Sequence, residues 1–252
     1  MVAQVPPGLV DRRESRKEDI DARGALRMIL PAAAGSFIEF YEFAFFAYLS
    51  SEMTANFFAH GHGGSLGTWA SFAVTFTVRP VGGAVFGWLA DRFGRRLAMQ
   101  TTIACMLAAT VLQGLLPTFY CCGEVAGGFG LVAMFFLRAI QGLSAGGELS
   151  TAAVYIAEVS PRRRLGLNLS WISVTGAFGA ACVGSVVVVC LQAALSREQM
   201  VLWGWRLPYL TALVPGLAVF LARGSLAETP EFEEMRRANA GAAAADDAGV
   251  EG

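Results

Sequence analysis

Charge is scarce in this 252-residue chain: Asp, Glu, Lys and Arg make up 15% of it, against roughly a quarter of an ordinary soluble domain. That deficit excludes a surface built to face water on all sides. Histidine is nearly absent too, with two residues, and the five cysteines form no Cys-x-x-Cys. His60 and His62 flank a glycine in "HGHGG", which reads as a loop rather than a metal site. Cys105, Cys121, Cys122, Cys182 and Cys190 read as small apolar residues. No paired nucleophile and base is visible, and "GGFG" at 127–130 opens an apolar run instead of following a strand, so it is not a phosphate loop. These absences argue against an enzyme, a metal or cofactor site and a nucleic-acid partner.

What the chain has in abundance is apolar length, with 55% hydrophobic residues. Runs long enough to cross a bilayer, about 20 residues as helix, lie near 27–50, 68–90, 97–117, 129–157, 165–190 and 203–224. Lipid cannot hydrogen-bond a backbone, so such runs must be helices or a closed barrel, and they lack the strict alternation of barrel strands. The expected fold is therefore an all-α membrane protein with six transmembrane helices. Residues 1–26 are mixed in charge and read as a solvated tail, neither signal nor transit peptide. Residues 27–224 form the membrane domain, and 225–252 read as a polar, largely disordered tail ending in "NAGAAAADDAGVEG".

The net charge of −1 is uninformative, but the placement of the cations is not. Arg12, Arg13, Arg16, Lys17, Arg23 and Arg27 precede the first run, Arg92, Arg95 and Arg96 join the second to the third, Arg162, Arg163 and Arg164 join the fourth to the fifth, and Arg223, Arg236 and Arg237 follow the sixth. The remaining links hold only Arg197 and Arg206. By the positive-inside rule both termini and the Arg-rich links are cytoplasmic. The chain is read as a multi-pass protein of the plasma membrane, the cell's inner membrane.

Ionisable groups inside a span cost about 2.5–3.5 kcal/mol each on insertion scales and are functional candidates by default. Five occur: Glu39 and Glu42 in the first run, Arg79 in the second, Arg138 and Glu148 in the fourth. Glu39 and Glu42 share a helix face, as do Arg138, Gln141 and Gly142. One reading is that the charges only glue helices together. The other starts from the count, since three carboxylates against two guanidiniums leave one acid without a permanent partner, a candidate proton carrier. Glycines in "RPVGGAVFG" and "RAIQGLSAGGE" place small residues beside Arg79 and Arg138, allowing close helix contact or a lined cavity.

The ten residues "GWLADRFGRR" (87–96) put one acid, three arginines and two glycines between apolar runs. Through Gly87, Leu89, Ala90, Asp91, Arg92, Gly94, Arg95 and Arg96 this stretch resembles the signature loop of the major facilitator superfamily of secondary transporters. Together, "GSFIEFYEF", "RPVGG", "RAIQGLSAGGE", "AEVSPRRRLG", "WRLPY" and "ETPEF" resemble its metabolite:proton symporter branch, whose members carry citrate, 2-oxoglutarate, shikimate, proline or betaine. Glu42 stands where that branch usually has Asp.

The resemblance covers about residues 27–235, the N-terminal six-helix half of a twelve-helix fold, built as a 3+3 inverted repeat. It implies proton-coupled symport of a small organic acid or zwitterion by alternating access. Arg79, Arg138 and Gln141 would line the substrate path, Glu39, Glu42 and Glu148 would be proton sites, and Gly87, Asp91, Arg92, Gly94, Arg95, Arg96, Glu158 and Arg164 would form the cytoplasmic gate. In that gate Glu158 is expected to work with Arg162 and Arg164. The expected partners are the substrate, a proton, the bilayer and either a second six-helix half or a second copy. The alternative is a transport-incompetent truncated half or a membrane interaction subunit.

The arginine asymmetry makes a prediction. In a cysteine-free background, cysteines placed at Gly63 and Glu124 are expected to react with an impermeant thiol reagent added outside intact cells, and ones at Phe93 and Arg163 are not. External labelling at Phe93 would reverse the orientation.

Overall fold

The computed structural model describes residues 22–58 and 63–238, so His60, His62, the N-terminal tail up to 21 and the stretch "NAGAAAADDAGVEG" lie outside the described residues. Six helices in it are long and apolar enough to cross a membrane: α1 (Leu26–Tyr48), α2 (Gly64–Phe93), α3 (Arg95–Gly114), α4 (Phe119–Val159), α5 (Arg162–Ala194) and α6 (Arg206–Gly224). A seventh helix, α7, covers 230–238. The order of the spans follows the apolar runs, but several helices extend beyond them. α4 is the clearest case: it begins ten residues before the run at 129, and Gly123 (φ 78°, ψ −175°) breaks it near its start. Thr118 caps that start by accepting a hydrogen bond from the Cys121 N–H at 3.3 Å.

Prolines shape the spans internally. Pro80 deprives Phe76 of the N–H that would continue the ladder, and α2 runs as Gly64–Thr77 followed by Arg79–Phe93. Arg79 therefore sits at the joint of its helix. In α1, Pro31 precedes a turn at Ala34, after which the helix resumes at Gly35.

The spans pack in three layers along the bundle. Tyr41, Phe45, Phe57, Trp205 and Tyr209 belong to an aromatic core at one end. Ile29, Met99, Tyr155, Ile156 and Leu226 belong to an aliphatic-rich core at the end that carries the arginine links. Between them lie Ile38, Ile103, Met106 and Ala145, at the level of the intramembrane charges. α1 and α3 are mostly buried, whereas α2, α4 and α5 show most of their surface to the outside of the six-helix unit.

The glycine-rich stretches make the closest helix contact. A Cβ at Gly142 would overlap the Thr75 carbonyl oxygen, one at Gly146 the Arg79 carbonyl oxygen, and one at Gly82 the Leu143 carbonyl oxygen. Four-residue spacing on α4 thus meets four-residue spacing on α2, and the two backbones touch without side chains between them. At these positions the glycines serve close packing. Gly87 differs, because a Cβ there would meet nothing within 4 Å.

One expectation needs correction. Cys121 and Cys122 are joined as a vicinal disulfide at the start of α4, while Cys105, Cys182 and Cys190 are free thiols. Adjacency, rather than a Cys-x-x-Cys spacing, brings the two sulfurs together. Beyond α6 the described chain continues to 238, with Leu226, Thr229 and Phe232 buried at the arginine-rich end of the bundle.

Candidate functional site

Three arginines meet three carboxylates inside the bundle. Glu39 on α1 pairs with Arg79 on α2 at 2.6 Å, and Glu42, one turn further along α1, pairs with Arg138 on α4 at 2.5 Å. Glu148 on α4 is held by Arg223 through both carboxylate oxygens. Arg138 and Glu148 are ten residues apart on one helix, about 15 Å. The pairs therefore form a ladder along the bundle rather than one cluster.

Arg223 overturns the count of three acids against two cations. It lies in the last turn of α6, where sequence reasoning places a cytoplasmic flank, yet it is fully buried. Helical side chains tilt toward their own N-terminus, so an arginine in the final turn of α6 reaches back into the bundle. There its Nε donates to the Pro31 carbonyl at 3.0 Å, Nη1 to the Met99 carbonyl at 2.9 Å and Nη2 to the Ala32 carbonyl at 2.6 Å. Thr102 completes the site by donating to Glu148 Oε2 at 2.7 Å. Gly35 leaves the room: a Cβ there would overlap Glu148 Oε1 and the Arg223 guanidinium. None of Glu39, Glu42 and Glu148 is left over, and Glu148 is the tightest held of the three.

The other two pairs differ in access. Arg138 and Glu42 are buried, the guanidinium lies 3.9 Å from the centre of the Phe46 ring, and Nη2 donates to the Tyr209 hydroxyl at 3.3 Å. Gln141, one turn along α4, accepts from Gln113 at 2.5 Å and donates to Thr110 at 2.9 Å, tying α4 to α3. The Arg79 side chain, in contrast, is 26% exposed while its Glu39 partner is 5% exposed. Arg79 lies over the neighbouring rings of Phe43 and Phe76, 4.8 and 4.5 Å from their centres, and its Nε has no hydrogen-bond partner.

At the arginine-rich end, Arg95 organises the loop between α2 and α3. It contacts Asp91 at 3.0 Å, Glu158 of α4 at 3.2 Å and the Ala90 carbonyl at 2.9 Å. The Asp91 side chain is 72% exposed, and Arg92 lies over the rings of Trp88 and Phe93. Glu158 thus meets Arg95 instead of Arg164, and Arg162, Arg163 and Arg164 are exposed in a single 3-10 turn.

Sequence reasoning missed Glu228 as a working residue. Its carboxylate accepts the N–H groups of Arg95 at 3.0 Å and Arg96 at 3.3 Å, capping the N-terminus of α3 from the segment after α6. Gly94 (φ 110°) permits this, since a Cβ would strike the same carboxylate. Arg96 donates back to the Gly224 carbonyl, and Tyr155 donates to the Ala227 carbonyl at 3.1 Å.

A bundle of six spans, an acid–arginine ladder and a capped Arg-rich loop can be set beside known proteins. The model of the family described as "Sugar (and other) transporter" matches residues 28–249. The chain belongs to that family.

Proteins named as a putative proline/betaine transporter of Staphylococcus haemolyticus and an ectoine/proline transporter of Corynebacterium glutamicum are 34% and 37% identical to it. The matches cover 89% and 79% of this chain but 47% and 40% of those proteins, so the chain spans about half their length. The inward-open xylose transporter of E. coli, a member of the major facilitator superfamily, superposes with a TM-score of 0.72 at 18% identity over 85% of this chain and 51% of its own. That likeness establishes the fold, a six-helix half of a major facilitator architecture, and the six apolar spans with the family match make the chain an integral, multi-pass membrane protein.

The cap at α3 generates a prediction. Glu228→Ala leaves two helix-terminal N–H groups unsatisfied and is expected to cost about 0.5–2 kcal/mol of stability, the range of a lost cap. Asp91→Ala removes an exposed pair worth about 0–1 kcal/mol. Denaturant unfolding of the two variants in micelles checks the order, and a larger loss for Asp91→Ala would contradict it.

Proposed function

We propose that the chain is the N-terminal half of a proton-coupled symporter for a small carboxylate or zwitterion, completed by a second six-helix half in the cell's inner membrane with both termini cytoplasmic. The observation that carries the reading is the Glu39–Arg79 pair: an arginine deep in a span, partly open, with Nη2 on Glu39 and Nε left without a hydrogen-bond partner. Such a group recognises an anionic head and is too costly to keep in lipid as mere glue. The names of the relatives agree in chemistry, since proline, betaine and ectoine are all zwitterions.

In this reading Glu39 and Glu42 are the acids available to a proton, because Glu148 is committed to Arg223 and Thr102, and Arg223 is itself fixed by three backbone carbonyls. Arg138 and Gln141 back the path from α4. The gate is the arginine-rich end, where Asp91, Arg92, Arg95, Arg96 and Glu158 sit at the ends of α2, α3 and α4, with Arg164 at the start of α5, and Glu228 fastens the segment after α6 to the same place. Alternating access needs two bodies that rock about a midplane site, and this chain supplies one of them.

The test is uptake into liposomes under an imposed proton gradient. The purified chain alone is expected to accumulate neither proline nor betaine, and co-expression with a complementary C-terminal half is expected to restore accumulation. Robust uptake by a demonstrated monomer would refute the two-body account. Uptake by a dimer would make the second wall another copy, and failure of every combination would favour an interaction subunit.

A further inference from the structure

The three intramembrane ion pairs are not equivalent. Glu148 and Arg223 satisfy one another through two contacts, and Arg223 holds three backbone carbonyls besides. Glu42 and Arg138 are buried against Phe46 and Tyr209. Glu39 and Arg79 share one close contact, Nη2 to Oε1, at the proline joint of α2. Among the described pairs of the ladder, theirs is the one whose opening leaves the fewest groups unsatisfied.

On the functional reading above, we propose that the Glu39–Arg79 pair is a dipolar slot that opens to take a zwitterion charge for charge. The substrate carboxylate replaces Glu39 on the Arg79 guanidinium, whose planar fork offers two parallel donors. The substrate ammonium replaces Arg79 beside Glu39, with the rings of Phe43 and Phe76, which now stack on the guanidinium, providing cation-binding faces. Phe72 buttresses both rings, at 5.6 Å from Phe43 and 5.2 Å from Phe76 between ring centres. Two charges enter, two charges are met, and the charge of the site is unchanged.

Charge balance then separates substrate classes. A carboxylate without an ammonium adds one negative charge to a low-dielectric site, where an uncompensated ion is expensive. The charges acting on Glu39 are Arg79 from α2, Glu148 from α4 and Glu42 on its own helix, and Arg138 and Arg223 are already paired. The remaining route to neutrality is a proton from water onto the Glu39 carboxylate. The slot therefore takes a zwitterion without a proton and a simple carboxylate with one, which leaves proton coupling of a zwitterion to Glu42.

Glycine betaine and 3,3-dimethylbutanoate test this, because they share size and carboxylate and differ by a quaternary nitrogen in place of a quaternary carbon. Titration calorimetry of the purified chain in lipid nanodiscs, in two buffers of different ionisation enthalpy, reads affinity and protons together. Betaine is expected to bind at least about tenfold more tightly and with no proton taken up at Glu39, and dimethylbutanoate with about one. Glu39→Gln is expected to abolish both the preference and the proton uptake, and Glu39→Asp to restore them, which separates loss of the charge from loss of the fold. Equal affinities, a preference that survives Glu39→Gln, or no binding of either ligand would overturn the slot. If proton-driven uptake by the co-expressed halves persists alongside one of those results, the slot alone fails. If uptake is absent as well, the symporter reading fails with it.

Discussion

A carboxylate buried among spanning helices is costly without a cation at its side, and a guanidinium is costly without acceptors. The contact between Glu148 and Arg223 meets both conditions at once. It draws the end of α6 onto α4, and the spare donors of Arg223 pin the carbonyls of Pro31, Ala32 and Met99, so that α1 and α3 are gathered at the same point. Gly35 in α1 and Thr102 in α3 are shaped to this pair, one by absence of a side chain and one by its hydroxyl. With Arg223 fixed there, the chain leaves α6 directly beneath α3, where Glu228 caps the helix and Arg96 binds Gly224. The start of the segment after α6 is thus fastened to α3 close to a pair buried inside the membrane domain.

The same rule explains how the charges can differ in role while sharing one chemistry. Burial and multiple donors make the Glu148 pair an anchor. Partial exposure, a single contact and a helix joint at Pro80 make the Glu39 pair the place where a ligand can compete. Glu42 and Arg138 stand between these extremes, enclosed by Phe46 and Tyr209 yet only one turn from Glu39. Glycines at 82, 142 and 146 keep α2 and α4 in backbone contact, which fixes the elements that carry Arg79 and Arg138 relative to each other.

Much of the architecture was legible in the sequence because apolar length is a local property: six runs give six spans, and the Gly-x-x-x-Gly spacing at 142 and 146 marks a close contact. Glu39, Glu42, Arg79, Arg138 and Glu148 stand out for the same reason, as charges where lipid forbids them. Partnership is not local, and that is where reading the sequence failed. Arg223 is a flanking cation by position and becomes a core residue only because its side chain points back along α6. Glu228 caps a helix 133 residues earlier, and nothing around "ETPEF" signals it. Glu158 meets Arg95, 63 residues away, although three arginines follow it within six positions.

The central claim is that Glu148 and Arg223 act as one unit on which the arrangement of four spans rests. A double-mutant cycle with Glu148→Gln and Arg223→Met, followed by denaturant unfolding of the chain in micelles, measures it directly. Each single substitution strands a buried group and is expected to cost about 3–5 kcal/mol, and the double variant is expected to cost clearly less than the sum of the two. Strictly additive losses would show that the two side chains do not depend on each other and would contradict the account.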